Sequence, residues 1–562
     1  MTKVVLDIET DGLDATQIHC IVARSYKTGQ ELTWVGEECK NFNSWSRRKD
    51  LKQFIMHNGI SFDAPVLNRL TGSAIKIAQI RDTLLESQLL NPIREEGHSL
   101  EAWGKKLSFE KGEFKEFSEY NEDMLEYCKR DVELTHKLAL TLEKEKNIDF
   151  QKAYDLESRV RTIIDQQQIN GFAFNVREAS ILHSRLEDEQ SSLEKKSKVL
   201  FPPEIIETIS KVRKVRNKKE IIFNIASRKQ IADKLKAEGW EPTEKTEKDN
   251  IIINEAVLNK IIKNKKSSDK LKSLAEMFNR YFLLQKRTGL LKGWFKECDE
   301  DDRVRGKVLT LRTITGRMAH NNPNMAQVPA VYSPYGKECR SLWTVSNPDT
   351  HSLVGTDASG LELRCLAHYM DDTKFTDAVL SGDVHTANQK MAGLKTRDQA
   401  KTFIYAFLYG AGPAKIGKIV GGSAGKGQNL IKRFLSNMPA LKKLRDDVHH
   451  QAAKEGTILG LDDRRLHIRH EHAALNTLIQ GAGAIVCKQW LVHLIDKIEE
   501  AGLDAKLVAS VHDEYQFEVL NKDTRRFGEL TKEAIQQATQ TLEMNCALDC
   551  DYKVGKTWAD TH

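Results

Sequence analysis

The sequence predicts a multidomain protein of mixed α/β and α+β class, and three observations lead there. At 562 residues the chain is too long for one core, and about 150 residues per domain gives roughly three or four. Three strand-like apolar runs end in acids: KVVLDIET at the start, LVGTDASGLELR at Leu353–Arg364, and AKLVASVHDEYQFEVL near the end. Between the first and second, from Tyr154 to about Glu300, the pattern turns mainly helical and lysine-rich. Pro202 and Pro203 interrupt it, and EGWEPTEKTEKDN reads as a loop.

The Leu353–Arg364 stretch organises the rest. Its apolar run, broken by Gly355, ends at Asp357 and turns through Ser359 and Gly360 into a helical pattern, which puts the carboxylate at a strand end. Downstream, the alternating Leu507, Ala509, Val511 and then Phe517, Val519 flank a polar corner of His512, Asp513 and Glu514, predicting a β-hairpin with Asp513 at its turn. If that hairpin pairs beside the first strand, Asp357 and Asp513 can hold two divalent ions between them, the arrangement of in-line phosphoryl or nucleotidyl transfer. Hard cations choose carboxylates, so Mg2+ is expected.

The first strand places Asp7 and Glu9 two residues apart and so on one face. In HNGISFDAPVL an apolar segment runs into His57, Asn58 and Gly59, with Ser61 as a candidate helix cap and Asp63 in the first turn. In EYCKRDVEL, Tyr127 and Asp131 stand i, i+4 and share a helix face.

Composition narrows the class. Hydrophobic residues make up 40% and charged residues 30%, as in ordinary globular proteins. Neither a run of eighteen apolar residues nor a long apolar N-terminal core is present, so no membrane span or secretion signal is expected and the cytoplasm is the expected compartment. The nine cysteines form no CxxC pair; even Cys546 and Cys550 lack nearby histidines, so reduced, mostly buried thiols are expected and zinc is not. Net charge is +6, with basic residues concentrated in Lys211, Arg213, Lys214, Arg216, Lys218, Lys219 and in Lys260, Lys263, Lys265, Lys266, Lys270, Lys272. Two such blocks beside a two-metal site point to a polyanion.

Further motifs surround the central strand. Leu311–Pro329, LRTITGRMAHNNPNMAQVP, places Arg317 after a tight turn. SGDVHTANQ carries Asp383 and His385. In TRDQAKTFIYAFLYGAGP, Thr396 and Gln399 form a capping-box signature, Arg397 opens a helix, and Gly410 with Pro413 closes it. Arg397, Lys401, Tyr405 and Tyr409 recur every four residues as a slanting stripe about 18 Å long. Cations near a helix N-terminus suit a triphosphate, and the aromatic rings offer a stacking surface. GGSAGKGQ, Gly421–Gln428, is one residue short of a P-loop and reads as a surface loop. HIRHEHAALNTLIQGAGA places His472, Asn476 and Gln480 on one helix face, within reach of a duplex groove.

The N-terminal pattern resembles the tyrosine-bearing branch of the DEDD exonuclease superfamily over roughly Met1–Lys146. That resemblance implies metal binding by Asp7, Glu9, Asp63 and Asp131, with Tyr127 orienting the water that attacks the terminal phosphodiester. Four crowded acids are costly unless cations neutralise them, which agrees. DASGLELR, RDQAKTFIYAFLYG and VHDE, preceded by TGR and PNMAQVP, resemble the polymerase motifs of family A DNA polymerases, with wording closest to replicative members from short-tailed bacteriophages. The resemblance implies an RNase H-like 3′–5′ exonuclease domain (1–148), then thumb and connecting helices (149–300), palm (301–375), fingers (376–450) and a second palm segment (451–562).

It further implies two Mg2+ ions in each site, which Mn2+ can replace, held in the polymerase site by Asp357 and Asp513. His385, Arg397 and Lys401 would contact the triphosphate of a dNTP, with Lys401 able to protonate the pyrophosphate. Tyr405 would line the sugar and base pocket, Tyr409 the templating position, and Glu362 the space at the sugar 2′-carbon. Arg317 and Gln480 would read minor-groove acceptors, with His472 and His512 as further DNA contacts; His472 departs from the arginine of the bacterial repair branch. Primer–template DNA is the implied partner, with a replicative helicase–primase and a single-stranded-DNA-binding protein beside it, in a host cytoplasm if the gene is a phage's. Thioredoxin, which some phage relatives bind through a thumb insertion, is not expected, because the interval from Asp131 to Asp357 is filled by the helical arm and the TGR segment. A single-subunit RNA polymerase shares the two-metal logic, but Glu362 and the acidic quartet argue against it. A stand-alone 3′–5′ exonuclease with a helical nucleic-acid-binding body would leave both distant acidic corners unused.

Overall fold

In a computed structural model, residues 3–109, 111–112, 114–146, 150–209 and 216–562 are described. The N-terminal unit is built on a five-stranded sheet in the order Glu31–Val35, Ile18–Ser25, Lys3–Thr10, Gln53–Met56, Ile80–Asp82. The first three strands are antiparallel, and Gln53–Met56 and Ile80–Asp82 run parallel to Lys3–Thr10. Strand alternation sorts the first strand into two rows. Val4, Leu6 and Ile8 enter a core with Phe42, Phe54 and Leu67, whereas Val5 meets Cys128 and Val132 of the helix Glu122–Glu145. Asp7 and Glu9 continue the Val5 row, so period two aims both acids at the helix that carries Tyr127 and Asp131.

The helix Phe150–Asn170 belongs to two cores. Phe150, Ala153 and Tyr154 pack into the N-terminal unit, and Leu156, Val160, Ile163 and Ile164 into the C-terminal one. The expected division at 148/149 lies in residues outside those described, and the helix that follows joins the two units.

The arm is more mixed than expected. Helices Val176–Leu200 and Asp269–Lys296 pack through Leu182, Leu186, Leu284 and Leu291, and a distal core gathers Ile231, Leu235, Leu258 and Phe278. Between them Glu204–Ile209 and Arg216–Ile221 form an antiparallel hairpin with Glu207 opposite Lys218. The β-branched run EIIETI favours extended backbone, which overrides the helical reading of this stretch. Of the first basic block, Lys211, Arg213 and Lys214 lie outside the described residues.

The C-terminal unit centres on an antiparallel sheet ordered Ala505–Val511, Glu514–Leu520, His351–Ala358, Cys550–Gly555. The expected hairpin forms and pairs with the central strand, whose helix Leu361–Met370 follows directly. Gly355 does not break this strand. A Cβ there would lie 2.6 Å from the Thr561 carbonyl, so glycine makes room for the C-terminal segment. Phe172–Phe174 pairs with Trp343–Thr344 and Arg303–Val304, tying the base of the arm to this unit.

Two other expectations need correction. Divisions after 375 and 450 would cut helices Thr373–Leu380 and Pro439–Glu455. The chain turns instead at Asp371 and Gly456, both with positive φ. GGSAGKGQ is not a loop throughout: Ser423 caps the helix Ala424–Asn437. A Cβ on Gly427 would lie 2.0 Å from the Pro413 carbonyl, so this glycine permits close packing on the helix Pro413–Ile419.

Among the described residues one stretch, Glu471–Ala501, is long and apolar enough to cross a membrane, and it is mostly buried in the protein's own core.

Candidate active site

Asp357 stands one residue before the end of the central strand, in register with Glu514 on one side and Asp551 on the other. Asp513 occupies the hairpin turn after His512, whose φ of 59° makes the turn tight. The Ala358 amide donates to the Asp513 carbonyl at 3.1 Å, which fixes the two acidic corners together. Burial, then Asp513 and Glu514, push the Asp357 carboxyl up to about 7. Burial, then Glu362, raise Asp513. An exposed and a half-buried acid, both held above the ordinary carboxylate range, form a donor set suited to hard divalent cations, which would reverse the penalty.

Glu514 is spent differently. The Trp558 indole donates to one of its oxygens, and His562 Nδ1 lies 2.8 Å from the other. Burial alone would raise this carboxyl, but His562 and Trp558 outweigh it and leave it below the usual range. The C-terminal segment thus props the strand that follows Asp513, a role that KVGKTWADTH did not signal because the partners are far apart in sequence.

The helix Arg397–Leu408 is capped by Thr396, whose hydroxyl accepts from the Gln399 amide. Ala400, Phe403, Ile404 and Leu408 are buried, and Arg397 and Lys401 are exposed on the other side. Further along the same stripe Tyr405 is half-buried against the core and Tyr409 is exposed. Tyr405 and Tyr409 stack with centroids 6.4 Å apart, and His385 approaches Tyr405 at 6.1 Å. Burial, then Arg397 and Lys401, lower the His385 pKa. A neutral imidazole beside two cations suits hydrogen bonding to an anion.

Glu362 Oε1 accepts from Arg317 at 3.2 Å and from the Tyr409 hydroxyl, at the end of the stripe, at 3.0 Å. Arg317 follows Gly316, at φ 73°. Gln480 and Asn476 lie half-buried on the helix Ala474–Ala501. His472 falls before that helix, on a short 3-10 turn, where it stacks on His470, so the row of three is a helical pair plus a flanking turn. His512 is exposed at the hairpin tip.

The second cluster lies in the N-terminal unit. Asp7 and Glu9 face Asp131, which stands one turn after Tyr127, and Asp63 is the first residue of the helix Asp63–Thr71. Ser61 does not cap that helix. Its hydroxyl donates to Asp165, while the Asn58 and Ile60 amides donate to Asp82 at 3.0 and 3.1 Å. Burial is the first cause of every shift here: it raises Asp7 well above the usual range with Asp63 and Glu9 next, Glu9 to about 8 with Asp131 next, and Asp63 to about 7. Asp131 Oδ1 is buried without a hydrogen-bond partner among the described residues. A buried carboxylate oxygen without a partner, beside three acids, fits a divalent-cation site.

Two neighbours escaped the sequence reading. Lys111 Nζ lies 2.9 Å from Asp131 Oδ2 and 5.1 Å from the Tyr127 ring centroid, and Cys128 Sγ lies 3.8 Å from Asp7 Oδ2. Cys128 sits inside the third acidic motif, next to Tyr127, so only its direction could have been read; Lys111 belongs to a loop without a repeat or cap.

The chain is similar to known proteins over its whole length. The DNA-directed DNA polymerase of Escherichia phage T7 is 30% identical, with all of both chains covered. That of Enterobacteria phage T3 is 30% identical over 99% of this chain and all of its own. The fold matches the POL domain of Pol1 from M. smegmatis, solved with DNA primer-template and dNTP, at a TM-score of 0.80 and 18% identity over 99% of this chain and 96% of that one. With the DNA polymerase family A model matching residues 197–560, the chain belongs to the family A DNA polymerases.

Proposed function

We propose that this polymerase extends a primer on a DNA template at Asp357 and Asp513, and trims mispaired 3′ ends at Asp7, Glu9, Asp63 and Asp131. The observation that carries the first half is the convergence of the two acidic corners, tied by the Ala358–Asp513 bond, in one unit with the exposed cations Arg397 and Lys401. Family A DNA polymerases use divalent metal ions; here two Mg2+ per site is the reading, with Mn2+ able to substitute. When bound, such ions make the primer 3′-hydroxyl a better nucleophile and neutralise charge on the departing pyrophosphate.

The protein's own groups do the rest. Arg397 and Lys401 bind the triphosphate from the start of their helix, neutral His385 donates to it, and Lys401 gives a proton to the leaving pyrophosphate. Tyr405 lines the sugar and base pocket, and Tyr409 stacks at the templating position. Glu362, held by Arg317 and Tyr409, fills the space a ribose 2′-hydroxyl would need. Arg317 and Gln480 donate to minor-groove acceptors shared by all four base pairs, which tests pair shape without reading sequence. His472 and His512 are further DNA contacts. In the N-terminal site Tyr127 orients the attacking water, with Lys111 close to the same phosphate.

Partners are primer–template DNA and dNTPs, with a replicative helicase–primase and a single-stranded-DNA-binding protein at the fork in the host cytoplasm. Thioredoxin is not among them. The alignment to the phage T7 protein spans 713 positions against 562 residues here, so that relative carries segments this chain lacks.

The test is a primer-extension gel with Mg2+, with and without dNTPs. Growth with dNTPs and shortening without them is expected. Shortening alone would leave a nuclease and remove the polymerase reading; extension with rNTPs in place of dNTPs would remove the assignment of Glu362.

A further inference from the structure

Four charged side chains are sealed into the core behind the cleft. Glu157, Asp462, Arg464 and Lys488 are all buried and come from three separate stretches of chain. Arg464 Nη1 donates to Glu157 at 2.6 Å and Nη2 to Asp462, and Lys488 Nζ donates to both Glu157 oxygens at 2.7 and 2.8 Å. Two acids balance two bases. Such a cluster is weak grounds for stability, because well-packed apolar residues often do as well.

The remaining bonds of Lys488 give the cluster a purpose. Nζ also donates to the carbonyls of Thr310 and Gly316, at 2.9 and 2.8 Å. These two carbonyls both belong to the loop of a short hairpin formed by Lys307–Leu309 and Ala319–Asn321, Thr310 at its start and Gly316 near its end. The residue after Gly316 is Arg317, whose guanidinium reaches Glu362. A Cβ on Gly316 would lie 3.2 Å from Arg464 Nη1, so the same cluster braces the turn from a second side. Lys488 and Arg317 also line one small cleft together with Met318, Leu361, Asp513 and Tyr515.

We propose that Lys488 is a positioning residue for polymerisation: by fixing the Thr310 and Gly316 carbonyls it sets where Arg317 meets the primer–template minor groove. This rests on the minor-groove reading of Arg317 given above. A compact ammonium serves a carboxylate and two carbonyls lying in different directions, which a planar guanidinium fork does not. Glu157 neutralises the lysine and anchors it to the helix Phe150–Asn170. The consequence is selective. A matched terminus presents a minor-groove acceptor at the right place and a mispaired one does not, so displacing Arg317 slows extension of the matched terminus more.

The experiment measures the ratio of extension rates from matched and mispaired 3′ termini in Mg2+. The proteins are wild type, Lys488→Met, Arg317→Ala, the double variant of the two, and Glu157→Gln with Lys488→Met, which keeps the cluster neutral. Lys488→Met and the charge-balanced variant are expected to lower the ratio roughly tenfold, about one well-placed hydrogen bond. In the Arg317→Ala background Lys488→Met should add nothing. A merely structural defect slows both termini alike and leaves the ratio at the wild-type value, which would overturn the proposal. An Arg317→Ala protein with normal ratio removes the minor-groove reading and the proposal with it. A clear Arg317→Ala effect with an independent, additive Lys488→Met effect removes the proposal alone. Gly316→Ala keeps all four charges and displaces the same turn; if the lysine variants do not fold, its ratio decides, a fall supporting the proposal and a wild-type value overturning it.

Discussion

The Glu362 carboxylate and the Arg317 guanidinium meet at 3.2 Å, and the Tyr409 hydroxyl shares the same carboxylate oxygen. A side chain held by two partners is a fixed wall, not a mobile one. Glu362→Ala should therefore open space beside the incoming sugar and relax discrimination against rNTPs by roughly 1–3 kcal/mol, the scale of one lost steric contact. Glu362→Gln keeps the shape and should retain most of it. The check is the dNTP to rNTP ratio of kcat/KM; equal ratios for the alanine variant and wild type would remove the wall from the cleft.

The two acid clusters sit in separate cores joined by the helix Phe150–Asn170, so the two chemistries should separate by mutation. Asp357→Ala or Asp513→Ala should abolish extension and spare 3′ trimming, and Asp7→Ala with Glu9→Ala should do the reverse. The losses should be large, above about a thousandfold, because each acid belongs to a unit that acts together. Gel assays on folded protein decide this, and loss of both activities from one change would argue against independent sites.

Metal-free protein should become less stable as pH rises. Glu9 and Asp63 are pushed up to about 8 and about 7 in the folded chain, and Asp7 is raised too. The folded state then binds more protons than the unfolded state from about pH 4.5 to at least 8, and stability falls with pH through that window. Millimolar Mg2+ should restore what is lost at pH 8, since bound cations stabilise the ionised form. Thermal unfolding in EDTA, with and without Asp7→Ala and Glu9→Ala, measures it; a flat profile in EDTA for the wild type would contradict the electrostatics of the cluster.

What the sequence made legible was local. Asp7 with Glu9, and Tyr127 with Asp131, follow from strand and helix periods, and Asp513 follows from alternation on both sides of a polar corner. Contacts closed by tertiary structure were not legible. Ser61 has the residue type of a cap, but Asp82 takes the nearby amides and Asp165 takes the hydroxyl. Glu514 stands beside Asp513 in the same polar corner, and nothing local says that His562 and Trp558, far along the chain, occupy it. The cluster of Glu157, Arg464 and Lys488 joins residues more than 300 positions apart, and each would otherwise pass as a surface charge on its helix or loop.

The second lysine block should grip DNA unevenly. Lys260 already pairs with Glu244 and Lys270 with Glu238, and Lys272 lies near Asp269. Lys263 ends the helix Glu255–Lys263, and Lys265 and Lys266 lie in the turn before the helix Asp269–Lys296; all three are exposed. A paired lysine has to give up its acid before it can neutralise a phosphate, and the net counterion release is correspondingly smaller. Each phosphate neutralised contributes about −0.9 to the slope of log affinity against log salt, so replacing Lys263, Lys265 and Lys266 by Gln should flatten the slope by up to about 2.7. The same change at Lys260, Lys270 and Lys272 should flatten it by less than half of that. Binding of a primer–template across a salt series, followed by single-encounter extension with a DNA trap, reads both affinity and product length. Equal slopes for the two triple variants would mean that local pairing does not set the grip, and longer products on adding thioredoxin would show that the arm recruits a clamp after all.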